Sequence, residues 1–445
     1  MKILLVNPPR SPRNGILEYA PPEAAKFIHK KLIGPPLGLI TIAAAVRDHD
    51  VRVLDMKGEY DLRPDAPSPD AMVAGHLASF RPDIVGVTFI ASEFNCGIDI
   101  FRAVKKFDPA ILTVAGGLHA TLCPGDFADP AVDAVMPGQC ADLFILLVRT
   151  REKGGDIGAV PGIFLNNGGL RFTGNAGRSW EPAGKDFIFP DRTHLKRWIS
   201  TYRVGTSPHP STYLFTSLGC PYRCTFCSIW SPFEGRYLQR DVESVIRELR
   251  MTDDYPVVRF ADANTIVNEK FISALFDRIE EEGIRKFFIM DIRFDTAVKY
   301  PALIEKLARG GLKVVICGFE SFREEELKGY RKEAAPGLIE EAISIFHRNG
   351  IMIRGNYVVP ADYTIDDFRA LSDYAGSHRV VYAGYTILTP MPGTVFYTEA
   401  KDRIVDFDLS KYNFFNCVFR SALPLERFYE EVGRLWLIKE GNDVI

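Results

Sequence analysis

The sequence predicts an α/β protein in two stages: a doubly wound parallel sheet over about residues 1–150, then six further strand–helix units over about residues 206–395. Three observations carry this. Short apolar runs alternate with helical patterns along both stretches. Glycine and proline turns bound the runs. Within the runs the residues are continuously apolar, as they are in strands buried on both faces. The 445 residues suffice for two or three domains with full cores. A linker over 151–205 and a small helical C-terminal cap over 396–445 complete the expected division.

Over residues 1–150, strands are expected at Ile3–Val6, Val51–Leu54, Asp83–Phe89, Ile111–Ala115 and Ala131–Met136. Helices are expected at Leu37–Val46, Pro69–Phe80, Ile98–Val104 and Ala141–Thr150. Such sheets bind ligands beyond the carboxyl ends of their strands. The turns there read Ile90-Ala91-Ser92, Gly116-Gly117-Leu118-His119 and Pro137-Gly138-Gln139. Paired glycines admit a bulky ligand close to the backbone. The absence of G-x-G-x-x-G argues against a nicotinamide site. In the linker, Ile163–Leu165 and Leu170–Phe172 flank an asparagine–glycine turn and read as a hairpin.

Over residues 206–395, three of the strands expected after Tyr213–Thr216 end in polar residues, Asp262 and Asn264, Arg293, and Glu320, and the strand Ile351–Val359 carries Asn356 within it. Parallel barrels place their chemistry at such ends. Tyr357 and Tyr385 stand as substrate-lining or core residues. Beyond Pro392 the chain is aromatic, with an amphipathic helix at Phe428–Leu437; it reads as a cap on the barrel or as a wall for an apolar substrate.

Composition narrows the function. A net charge of −3 leaves no basic footprint for nucleic acid. No run approaches the ~18–20 apolar residues of a membrane span. The first apolar run is too short for a signal peptide, and eight cysteines in this length are too few for a disulfide scaffold. The cytoplasm is the expected location.

The chemistry concentrates in Cys220-Pro221-Tyr222-Arg223-Cys224-Thr225-Phe226-Cys227. Three thiolates converging from one loop suit an iron–sulfur cluster with one iron left open. A structural zinc site is closed by four ligands. A zinc knuckle or three buried core cysteines are the alternatives. A thiolate cluster requires a reducing compartment.

C-x3-C-x-φ-C, with Phe226 as φ, resembles the cluster motif of the radical S-adenosylmethionine (radical SAM) superfamily. The resemblance implies a partial (β/α)6 barrel and a [4Fe–4S] cluster on Cys220, Cys224 and Cys227. The open iron would take the amino and carboxylate groups of SAM, with Phe226 against the adenine. Asp262 and Asn264 would contact the methionyl ammonium, or serve as strand-end caps; the family's usual Gly-Gly-Glu is absent. Arg293 would pair with the SAM carboxylate, the substrate or a structural partner. Glu320 would meet ribose hydroxyls or the ammonium. Asn356 would contact SAM or hydrogen-bond within the barrel.

The first stretch resembles the cobalamin-binding domain of cobalamin-dependent radical SAM enzymes, on Gly34-Pro35-Pro36-Leu37-Gly38-Leu39, Val85-Gly86-Val87-Thr88 and Ala115-Gly116-Gly117-Leu118-His119-Ala120. It implies cobalamin contacts at Pro36, Thr88, Ser92, Gly116, Gly117, His119 and Gly138. D-x-H-x-x-G, whose histidine ligates cobalt from below in other cobalamin domains, is replaced by Asp55-Met56-Lys57-Gly58. His119 then reads as a loop histidine hydrogen-bonded near the corrin or its tail, with cobalt ligation as the alternative. Barrel and tail look most like the hopanoid methylase branch. The implied function is methyl transfer to an unactivated carbon of a small, lipid- or isoprenoid-like molecule, with an electron donor such as flavodoxin or ferredoxin. A radical SAM cyclase or carbon–carbon bond-forming enzyme is the alternative; a cluster- and cobalamin-binding sensor or electron relay is the alternative of another class.

Overall fold

The computed structural model describes residues 1–28, 34–174, 187–204, 207–332, 337–378, 380 and 383–438. The chain forms two compact units: Met1–Pro12, Pro35–Glu181 and Asp186–Tyr202 in the first; Arg13–Gly34, Pro182–Lys185 and Arg203–Ile445 in the second. Among the described residues, no helix is long and apolar enough to cross a membrane.

The first unit is built on β1 (Lys2–Asn7), β2 (Asp50–Asp55), β3 (Ile84–Thr88), β4 (Leu112–Gly116) and β5 (Ala134–Val135), all parallel. The strand order is β2-β1-β3-β4-β5, continued by β6 (Phe164–Asn166) and β7 (Leu170–Phe172). Ile3, Leu4, Leu5 and Val6 are buried, which explains why β1 shows no polar alternation. The order reverses at β1, so the crevice of a doubly wound sheet opens beside its carboxyl end.

Two stretches lie elsewhere than the sequence suggests. The β6–β7 hairpin, expected inside the linker, pairs antiparallel with β5 and widens the first sheet. The turns of Arg192–Thr201 also join that unit: Trp198 Nε1 donates to Glu59 Oε1 at 2.9 Å, and the Tyr202 hydroxyl donates to Asp55 Oδ2 at 2.7 Å. Conversely, Arg13–Gly34 departs from the first unit. Its apolar residues Ile16, Ala24 and Ile28 enter the core of the second, and Gly15 N donates to Asn416 Oδ1 at 2.8 Å. No periodic pattern marks the two short helices of this segment, Gly15–Tyr19 and Pro22–Ile28. The C-terminal helix Leu425–Leu435 packs there too, with Tyr429 stacked on Tyr19 at 5.8 Å.

The second unit carries β8 (Ser211–Leu214), then β9 (Ser217–Gly219) and β10 (Tyr237–Gln239) as an antiparallel pair. β11 (Val257–Phe260), β12 (Phe287–Asp291), β13 (Leu312–Glu320), β14 (Met352–Val359) and β15 (Gly384–Ile387) follow. The six strands β8, β11, β12, β13, β14 and β15 lie side by side in that order, each parallel to its neighbours. This is the open, partial barrel expected from six strand–helix units. Its two faces separate by pleat. Val258, Phe260, Phe288, Met290, Val315, Cys317, Phe319, Ile353 and Tyr357 join the large core with the helices. Val257, Ile289, Val314 and Ile316 form a separate inner cluster with Val204 and Met352.

Two buried side chains fix the bend between β8 and β9 that leads to the cysteines. Asp262 Oδ1 accepts from Thr216 N and Ser217 N at 2.8 Å, and its Oδ2 accepts from Thr216 Oγ1 at 2.7 Å. Arg240 donates to Phe215 O at 2.7 Å, to Glu248 Oε2 at 2.6 Å and to Ser244 Oγ at 2.9 Å. Arg240 and Glu248 side chains are each 1% exposed.

Removing one partner of a buried pair leaves a bare charge, at a cost of about 3–5 kcal/mol. Arg240→Ala should therefore lower the urea midpoint of the second unit, and a double Arg240→Met, Glu248→Leu variant should recover most of the loss; an unchanged midpoint in Arg240→Ala would contradict this. Burial pushes the Asp262 carboxyl up to about 6, against the Thr216 and Ser217 hydrogen bonds that favour the anion. A carboxyl that holds its proton more tightly when folded contributes stability present below the ordinary carboxylate range and lost as pH rises through about 6. Relative to Asp262→Asn, the native protein should lose on the order of 3 kcal/mol between about pH 4 and about pH 7. Parallel stability–pH curves for the two would contradict it.

Candidate active site

The cysteine loop leaves β9 through Gly219, at φ +76°, where a side chain would place Cβ 2.2 Å from Arg236 O. Only glycine fits that turn. Beyond it the backbone is tied internally and to the barrel. Cys227 N donates to Cys224 O at 3.2 Å, Thr225 N to Tyr330 O at 3.1 Å, and Phe396 N to Thr225 O at 2.9 Å. Trp230 Nε1 donates to Cys224 O at 3.0 Å, and Ile229 N to Cys227 Sγ at 3.5 Å.

Cys220, Cys224 and Cys227 are free thiols. Burial raises the pKa of all three, that of Cys227 to about 11. The charges of Cys220 and Cys224 raise Cys227 further, so the three sulfurs share one electrostatic neighbourhood. Lys332 and Arg293 act the other way on Cys220 and Cys224. Three half-buried thiols flanked by two cations fit a positively charged metal cluster, which reverses the penalty on thiolate formation.

Around this loop stand the ends of the barrel strands. Glu320 closes β13 at φ +62°, where the register with β14 slips, a rare conformation for a residue with a side chain. Its Oε1 accepts from Lys332 Nζ at 2.8 Å, and Lys332 also donates to Gly318 O at 2.5 Å. Arg293 lies 3.9 Å from the Tyr222 ring centroid and donates to Asp295, through Nη2 to Oδ2 at 2.7 Å. Asn264 Oδ1 accepts from Arg293 N at 3.4 Å, and its buried Nδ2 has no partner among the described residues. That orphaned donor, with the buried and unpartnered Thr265 Oγ1, suits a polar ligand at this end of the sheet. Phe226 meets Tyr330 edge to face at 5.3 Å. Asn356 is on β14, opposite Gly318.

Asp262 differs from its companions. Both of its oxygens serve the β8–β9 bend, so it is a strand-end cap, and Asn264 is the member of that pair with a free donor. Arg293 has the structural ion pair that was its alternative role, while remaining near the thiols. Lys332 and Tyr222 were not legible as site residues. Lys332 follows the short helix Glu324–Gly329 in no motif, and only the fold sets it against Glu320.

In the first unit, Thr88 ends β3 and Gly116 ends β4. Gly117, at φ +94°, has no room for a side chain: Cβ would lie 2.6 Å from Thr88 Oγ1 and 2.7 Å from Phe89 N. Gly116 is open instead, with only Met136 O at 4.0 Å from such a Cβ. Gly138 N donates to Thr121 Oγ1 at 2.8 Å, and Thr121 Oγ1 donates to Gly117 O at 2.8 Å, which ties the two glycine turns together. An open ledge of this kind suits a large planar ligand. Ser92 is buried in the turn Ala91–Glu93, and Pro36 precedes the helix Leu37–Ala45.

His119 is enclosed. Its Nε2 lies 3.0 Å from Asp126 Oδ2, and its ring packs 5.2 Å from Phe94 and 5.8 Å from Phe127. It is buried in the short helix Leu118–Leu122, which starts directly after Gly117. Where a cobalt-ligating histidine stands in other cobalamin domains, Lys57 forms an ion pair with Glu93 at 2.5 Å. Asp55 accepts from Asn7 Nδ2 at 2.7 Å. Nothing in the spacing of these residues announced this network.

Comparison with known proteins agrees with both halves. The radical SAM superfamily model matches residues 214–375 and the B12 binding domain model residues 27–147. An uncharacterised methyltransferase of Pyrococcus horikoshii is 28% identical over 93% of this chain and 86% of its own length. Hopanoid C-3 methylase of Methylococcus capsulatus is 25% identical over 89% of this chain and 75% of its own. Among solved structures, the radical SAM methyltransferase TsrM of Kitasatospora setae, with cobalamin and a [4Fe–4S] cluster bound, superposes with a TM-score of 0.68 at 18% identity. It covers 90% of this chain and 78% of TsrM. With a B12 binding domain match over residues 27–147 followed by a radical SAM domain match over 214–375, the chain carries the domain pair of cobalamin-dependent radical SAM enzymes and is similar to a hopanoid methylase.

Proposed function

We propose that this enzyme transfers a methyl group to an unactivated carbon of a small molecule, using a [4Fe–4S] cluster, SAM and cobalamin. The observation that carries the reading is the convergence of Cys220, Cys224 and Cys227 with Arg293, Glu320 and Lys332 at the carboxyl ends of six parallel strands. When bound, the cluster and SAM supply a 5′-deoxyadenosyl radical, and cobalamin supplies the methyl group.

The protein's part is to hold, orient and exclude. Cys220, Cys224 and Cys227 hold the cluster, and Lys332 and Arg293 offset the charge gathered there. Asn264 offers its open Nδ2 to SAM. Glu320, fixed by Lys332, presents a carboxylate to the ribose hydroxyls or the ammonium, and Phe226 lies against the adenine. Asn356 supplies a further polar contact from β14. Pro36, Thr88, Ser92, Gly116, Gly117 and Gly138 form the cobalamin ledge, with His119 bracing it from within. The electron comes from a cytoplasmic donor of the flavodoxin or ferredoxin type. The two similar methyltransferases support the methyl-transfer outcome, and the hopanoid methylase favours an apolar acceptor.

Anaerobic turnover with a reductant, SAM and cobalamin tests this. The expected products are 5′-deoxyadenosine together with S-adenosylhomocysteine and an acceptor heavier by one methyl. 5′-Deoxyadenosine without S-adenosylhomocysteine would point instead to cyclisation or another carbon–carbon bond formation, and no SAM cleavage at all would remove the enzymatic reading. Cys224→Ala should abolish cluster absorbance and SAM cleavage while cobalamin binding persists. Glu320→Gln should retain the cluster but weaken SAM binding about tenfold or more, the worth of a charge-assisted hydrogen bond. Unchanged SAM affinity would take Glu320 out of that role.

A further inference from the structure

The inner face of the barrel sheet holds a second polar layer, apart from the cysteines. Arg259 on β11 grips Asp291 on β12: Nε to Oδ2 at 3.1 Å, and Nη2 to Oδ1 at 3.0 Å and Oδ2 at 2.8 Å. Its guanidinium also lies 5.2 Å from the Tyr213 ring centroid on β8. Arg354 on β14 belongs to the same layer. The register pairs both Asp291 and Arg354 with Ile316, and the pleat turns Arg354 to the same face as Asn356.

The charges in this layer do not balance. Among the described residues two guanidinium groups face one carboxylate, which Arg259 already engages in two-point fashion. Arg354 has no hydrogen-bond or ion-pair partner among the described residues. Its surroundings are Arg259, Asp291 and Tyr213, and burial with the Arg259 charge pushes its pKa down to about 10, so it is still a cation at neutral pH. The inner apolar cluster of Val257, Ile289, Val314, Ile316 and Met352 lines the same face. A leucine or methionine at 354 would extend that lining without the cost of a desolvated, unpaired charge. Arg259 and Asp291 keep 18% and 21% side-chain exposure, so the layer borders open space and not packed core.

We propose that Arg354 binds an anionic group of the substrate, a carboxylate or a phosphate, which makes the acceptor an organic acid or phosphate ester with an apolar portion. This rests on the reading of the barrel as the substrate site. The SAM carboxylate is a poorer occupant. It binds at the cluster, where Lys332 and Arg293 act on the thiols, whereas the charged neighbours of Arg354 are Arg259 and Asp291.

The test uses the reconstituted holoenzyme with octanoate, octyl phosphate and 1-octanol as probes, and reads binding by calorimetry. Octanoate or octyl phosphate should bind, the stronger of the two identifying the group, with 1-octanol weaker by about tenfold or more. Arg354→Gln should abolish the preference for the anion, and Arg354→Lys should retain part of it. SAM affinity, read from the cluster's electron paramagnetic resonance signal, should not follow Arg354. Equal binding of all three probes, no binding of either anion, a preference that survives in Arg354→Gln, or a loss of SAM affinity in that variant would each overturn the inference. Such outcomes in an enzyme that still cleaves SAM would leave the proposed function standing, whereas an enzyme without SAM cleavage would fail that reading first.

Discussion

Three half-buried thiols gathered in one loop oppose their own ionisation, and much of the second unit is arranged around that fact. Desolvation and mutual charge hold Cys220, Cys224 and Cys227 toward the neutral form. A protein that wanted only small core residues would not set Lys332 and Arg293 beside them, nor fix the approach with Asp262, Arg240 and a positive-φ glycine. The arrangement is coherent once a cationic cluster is expected in the loop. Thiolates then form at neutral pH, and the two cations offset the charge of the ligands.

The same sheet separates stability from chemistry by pleat. Residues facing the helices are apolar and buried, and form the large core. Those facing inward begin as an apolar lining, continue through Arg259, Asp291 and Arg354, and end at Asn356 and the strand termini near the cysteines. One strand such as β14 thus contributes Ile353 and Tyr357 to the core and Arg354 and Asn356 to the inner space. Substitutions on the outer face should be felt as stability, and those on the inner face as binding. The first unit follows a similar economy at its carboxyl ends, where Gly117 is demanded by its neighbours while Gly116 leaves open room.

What the sequence revealed followed from periodicity and from motif. Continuous apolar runs announced both parallel sheets, and the cysteine spacing placed the cluster loop at the right strand end. The misplacements have physical causes. Arg13–Gly34 carries helices too short for a periodic signal, and only tertiary contacts with Phe415, Asn416 and Tyr429 assign them to the second unit. The β6–β7 hairpin was visible, but its pairing with β5 was not, because edge pairing leaves no local trace. Asp262 read as a ligand contact or a strand-end cap, since a strand-end carboxylate has the same sequence signature whether it binds backbone or cofactor. Lys332 stands 12 residues beyond Glu320, and Tyr202 147 beyond Asp55, separations to which no local spacing rule applies.

A cluster with three cysteine ligands and one exchangeable iron is the central requirement of this site. Mössbauer spectroscopy of the anaerobically reconstituted, iron-57-enriched protein tests this most directly. One iron of a [4Fe–4S] cluster should be distinct from the other three and should change its isomer shift when SAM is added. Four equivalent irons indifferent to SAM, or zinc in place of iron, would contradict it.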